Sequence, residues 1–109
     1  MKAISILIAA GGLLAASVAN AGVDADAAQA LLKKSDCLKC HAVDKKKDGP
    51  SFKETAKKYK GKADAEEKLF KHVTTKPMIE IDGKKEEHKV IKSTDKGEIT
   101  NAVQWILAQ

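Results

Sequence analysis

An all-α fold is what this sequence predicts: four to five short helices wrapped around something other than their own side chains. Three observations carry that expectation. Segments between turn signals repeat their apolar residues at helical spacing. Strand-like alternation is confined to "MIEI" at residues 78–81. Large hydrophobes are scarce, with one Trp, one Tyr and two Phe among 109 residues, and a chain this small buries too little of its surface to be stable on such a core alone.

Residues 1–21 stand apart. Lys2, the apolar run "ISILIAAGGLLAASVA" and the small-x-small triplet "ANA" at 19–21 form the pattern of a secretory signal cleaved after Ala21. The run is short, small and Gly-containing, whereas a retained anchor needs ~20 well-packed apolar residues, so no stable membrane insertion is expected. Residues 22–109 then form one domain with 19 lysines, no arginine and 15 acids, a formal charge of +4. That describes an exported, periplasmic, moderately basic monomer. The modest charge, absent arginine and few aromatics exclude a nucleic-acid binder.

The elements follow in order. "DADAAQALLKK" (24–34) begins with acids and ends with lysines, complementing the helix dipole, and puts Ala28, Leu31 and Leu32 on one face. "KKKDGP" is a turn by its Gly49-Pro50 pair. "SFKE" (51–54) is a capping box, after which Phe52, Ala56 and Tyr59 recur at helical spacing until Gly61. "DAEE" (64–67) opens a helix with Ala65, Leu69 and Val73 inward; His72, one position before Val73, is expected at the surface. Pro77 and Asp82-Gly83 break the next segment, where "MIEI" reads as a short strand or extended loop. Asp95 to Glu98 caps a last helix whose stripe of Ile99, Val103, Ile106 and Leu107 surrounds Trp105.

What fills the missing core is announced by "CLKCH", residues 37–41. C-x-x-C-H is the attachment pattern of c-type haem. Two thiols three positions apart on a helical turn, Cys37 and Cys40, can each bond one vinyl group of a haem. His41 is then carried beneath the porphyrin, where its imidazole can bind iron as the proximal ligand. A thioredoxin-like reading of the cysteines needs a βαβ setting that is absent from the pattern. A zinc site from Cys37, Cys40, His72 and His88 has histidines too far apart for finger spacing. A disulfide across two residues closes too small a loop to staple a domain. One covalent haem c is therefore expected.

With these residues in hand, the chain resembles the monohaem class I cytochromes c, especially the small bacterial periplasmic ones, across essentially all of 22–109. The likeness rests on a leading helix, "CLKCH", "DGPSF" and a closing helix with an aromatic. It is also similar to a periplasmic electron shuttle of neutrophilic iron-oxidising bacteria. The resemblance implies that the first and last helices cross with Trp105 near the crossing. It also implies that the Pro50 carbonyl accepts a hydrogen bond from His41 and so orients it.

A sixth ligand is implied too, and two residues compete for it. The family usually supplies a methionine from a loop before the last helix, and "KPM" resembles its proline-methionine pair. By the family's spacing to the closing aromatic, however, His88, seventeen residues before Trp105, fits, whereas Met78, at twenty-seven, comes too early. His88 is the favoured distal ligand and Met78 the alternative. If Met78 binds, residues up to Thr94 form a long insertion over the haem edge.

The function expected is a one-electron carrier between redox partner proteins, and not an enzyme. Alternatives are a cytochrome subunit of a larger redox complex and, behind it, a haem catalyst or sensor with an open iron position. Lys45, Lys46 and Lys47 after the haem motif, with Lys84, Lys85 and Lys89 around the candidate ligands, are expected to steer acidic partner surfaces to the haem edge.

Overall fold

The computed structural model describes residues 22–109; the expected signal segment lies outside the described residues. Helix α1 (Ala25–Lys34) leads into a 3₁₀ turn (Cys37–Lys39), then α2 (Phe52–Tyr59), α3 (Ala65–Thr74), strands β1 (Met78–Ile81) and β2 (Lys84–Glu87), and α4 (Lys96–Leu107). No described helix is long and apolar enough to cross a membrane.

The helix starts are set by short polar side chains that satisfy otherwise unpaired N–H groups. Asp24 accepts from the N–H of Ala27 at 3.0 Å, Ser51 from Glu54 at 3.1 Å and Asp95 from Glu98 at 3.1 Å. Helix α2 stops at Tyr59, just ahead of Gly61, whose φ of +77° suits a residue without a Cβ.

Helices α1 and α4 pack on each other, and α4 also receives α2 and α3. Their contact is apolar at its centre, where Leu32 is 1% and Val103 0% exposed. It is polar at its rim: the backbone N–H of Asp24 donates to Oδ1 of Asn101, and Nδ2 of Asn101 donates to the Asp24 carbonyl, both at 2.8 Å. The far end of α1 is tied by buried Ser35, whose Oγ accepts from the Lys92 N–H at 2.8 Å. The segment that carries His88 to α4 is thereby fixed to α1.

The mainly helical class stands, with one addition. "MIEI" is one arm of an antiparallel hairpin whose second arm, "KKEE", pairs Met78 with Glu87 and Ile81 with Lys84. Asp82 and Gly83, at φ of 51° and 79°, make the two-residue turn, the type whose twist matches a hairpin. The backbone N–H of His88 donates to the Pro77 carbonyl at 2.8 Å and closes the open end.

Candidate haem site

The 3₁₀ turn delivers the first half of the site. The N–H groups of Cys40 and His41 both donate to the Cys37 carbonyl, at 3.3 and 3.0 Å, which winds the motif so that Cys37, Cys40 and His41 all line one cavity of about 570 Å³. Burial is the main cause raising the Cys37 thiol pKa, with Asp36 adding to it. Leu32, Phe52, Leu69, Val73 and Ile106 give the cavity apolar walls, and Ile79, Ile81 and His88 line it from the hairpin side.

His41 is held from three directions. Its Nδ1 lies 2.7 Å from the Pro50 carbonyl. A carbonyl only accepts, so Nδ1 carries a proton, and in the neutral ring the lone pair is then on Nε2. Gly49 makes room for the ring, since a Cβ there would stand 2.8 Å from Nδ1. Phe52, 3% exposed, stacks on the imidazole with centroids 5.6 Å apart and meets Trp105 of α4 edge-on at 5.6 Å. A continuous aromatic contact thus runs from the last helix to His41.

His88 faces the same cavity. Its ring centroid is 6.1 Å from that of His41. Two imidazoles sharing one metal at about 2 Å each, with about 1 Å more from nitrogen to ring centre, are separated by about 6 Å. Burial, reinforced by neighbouring His72 and His41, lowers the His88 pKa to about 4. The ring is therefore neutral at pH 7, the state in which imidazole can ligate a metal. Met78 sits on the other face of β1, 61% exposed and outside the cavity lining.

One expectation needs correction. His72 is not on the surface: it is half-buried, lines the cavity and brings its ring centroid to 4.2 Å from that of His88. It stands three residues after Leu69, which puts it on the same helix face as the core residues; that i+3 spacing is the sequence signal for its inward position. Burial, then His41 and Lys58, lowers its pKa.

The lysines also divide differently. All six expected steering lysines are exposed, but only Lys89 lines the cavity, joined by Lys58, which the sequence did not single out. Lys47 donates from Nζ to the Leu38 carbonyl at 3.0 Å and is occupied. Lys84 and Lys85 lie on β2, a strand exposed throughout. Six acids, Asp36, Asp48, Glu54, Glu80, Glu86 and Glu87, share the lining with the two lysines, because acids near the helix starts and on both hairpin strands reach the same opening.

The residues present fit a flat, apolar, iron-bearing cofactor: an apolar cavity, paired thiols on a turn, and an imidazole on either side. No group of three His, Cys, Asp or Glu among the described residues is arranged to hold a bare metal ion. Helices, motif turn and cavity together define a small class I cytochrome c.

Comparison with known proteins agrees. The model of the Cytochrome c family matches residues 25–108, and the chain belongs to that family; its cofactor is covalent haem c. Cytochrome c-551 of Pseudomonas aeruginosa is 39% identical over 67 residues, 62% of this chain and 60% of that one. Cytochrome c-552 of Nitrosomonas europaea is 47% identical over 57 residues, 52% of this chain and 50% of that one. The matches thus span half to three-fifths of these relatives. The crystal structure of the class 1 cytochrome MtoD from Sideroxydans lithotrophicus ES-1 superposes with a TM-score of 0.75 at 53% identity, over 78% of this chain and 95% of that one.

Proposed function

We propose that this protein is a periplasmic one-electron carrier whose iron is held by two histidines, His41 and His88. In this reading residues 1–21 are removed on export, and Cys37 and Cys40 form the thioether bonds to haem. When bound, the haem supplies the exchange of one electron between ferric and ferrous iron. The observation that carries the ligand assignment is the 6.1 Å separation of the His41 and His88 rings within one cavity, with Met78 exposed outside it.

The protein's own residues do the rest. Pro50 keeps His41 in one tautomer, and Phe52 fixes its ring against α4. The apolar walls exclude water, which limits solvent rearrangement when the charge on the iron changes. Paired histidines suit a lower-potential carrier than a His/Met pair, since axial ligand identity is a main control of haem potential. Lys58 and Lys89 are the cationic groups placed to guide an acidic partner, an attraction that weakens as salt rises.

The test is near-infrared magnetic circular dichroism of the ferric holoprotein, repeated on His88→Ala and Met78→Ala. We expect no iron–sulfur charge-transfer band in the wild type and loss of low-spin iron only in His88→Ala. A sulfur band that disappears in Met78→Ala would refute the assignment.

A further inference from the structure

The two imidazoles are secured in different ways. His41 has the Pro50 carbonyl at 2.7 Å and the backbone of Gly49 against its ring. Among the described residues the buried Nδ1 of His88 has no partner at hydrogen-bond geometry, and the Lys89 backbone is the polar group that acts on the ring from nearby. An imidazole attached to a metal through one nitrogen can still turn about that bond. For ligating histidines, a hydrogen bond from the other nitrogen usually fixes the ring. Here that device is missing, and something else has to set the plane of His88.

His72 is the group in position to do so. Its ring centroid lies 4.2 Å from that of His88, with the planes 48° apart. That is closer than the usual aromatic pair, whose centroids are about 4.5–7 Å apart, so the rings cannot turn independently. Nor is His72 itself loose: on α3 it stands between Leu69 and Val73, 4% and 6% exposed, which bind that helix face to the core.

We propose that His72 is a positioning residue for the distal ligand, its ring contact setting the plane of His88 where no hydrogen bond does. The proposal rests on His88 being the sixth ligand. The relative orientation of the two ligand planes controls the splitting of the iron orbitals. The effect of His72 is therefore visible in the spectrum of the ferric iron, where simple space-filling at that position would not be.

The experiment is electron paramagnetic resonance of the ferric holoprotein for wild type, His72→Ala, His72→Phe and His88→Ala, with the rate at which added imidazole displaces the distal ligand. We expect His72→Ala to stay low-spin but to shift or broaden its largest g-value. We expect imidazole exchange roughly two- to tenfold faster, the scale of one lost aromatic pair. His72→Phe, which keeps a flat ring, should restore both. If His72→Ala matches the wild type in g-values and exchange while His88→Ala loses low-spin iron, the proposal fails and the bis-histidine reading stands. If His88→Ala keeps the native spectrum, both fail. If His72→Ala abolishes low-spin iron, His72 is itself the ligand and the positioning role is overturned.

Discussion

The two sides of the cavity are built on different principles. On the His41 side, protein holds protein: a hydrogen bond, a glycine contact and a stack through Phe52 to Trp105 lock the ring to α4. On the His88 side, the support comes from a hairpin that makes no extended contact with any described helix. Ile79 and Ile81 are only half-buried, and their inward face is turned to the cavity. One imidazole is thus preorganised by the fold. The other meets the ring of His72 and has a buried Nδ1 without a hydrogen-bond partner.

Substitutions sharpen that contrast. Phe52→Ala should have the largest effect, because it empties a buried aromatic site and releases His41 from α4. We expect about 3–5 kcal/mol lost on denaturant unfolding of the holoprotein; a loss below that of a half-buried residue would break the comparison. Gly49→Ala forces a methyl against the His41 ring and should cost about 1–3 kcal/mol, with a weakened Pro50 bond visible as a shifted ferrous iron–histidine or Soret signal. On the hairpin, Ile81→Ala removes only partial burial. About 1 kcal/mol is expected, with hydrogen exchange faster in 78–88 and unchanged in α1 and α4. Met78→Ala should be the smallest, within about 0.5 kcal/mol of wild type and spectrally silent.

The same division governs what could be read from the sequence. The haem motif was legible because attachment chemistry requires its residues side by side in the chain. Helix starts were legible because Asp24, Ser51 and Asp95 act on N–H groups three residues away. The second strand was not, since "KKEE" is exposed on both faces and has no apolar alternation to announce it. Asp82-Gly83 was the one available sign, and it marks a break as readily as a hairpin turn. His72 was missed because only the i+4 partners Ala65, Leu69 and Val73 were assigned inward. The Lys47 contact with the Leu38 carbonyl depends on a loop path that no local pattern encodes.

The hydrogen bond from the His88 N–H to the Pro77 carbonyl has a further consequence. It makes the hairpin a closed loop hung from two adjacent points, so the ten positions between Pro77 and His88 add almost nothing to the distance the main path has to cover. Chain inserted or deleted at the tip, in pairs that keep the strand alternation, would leave both anchor points where they are. The reach from the core to His88 is set from the other direction, by Ile91 N–H on the Val73 carbonyl at 2.9 Å and Lys92 N–H on Ser35. The hairpin can therefore vary in length, and in the surface it offers to other molecules, without retuning the position of His88.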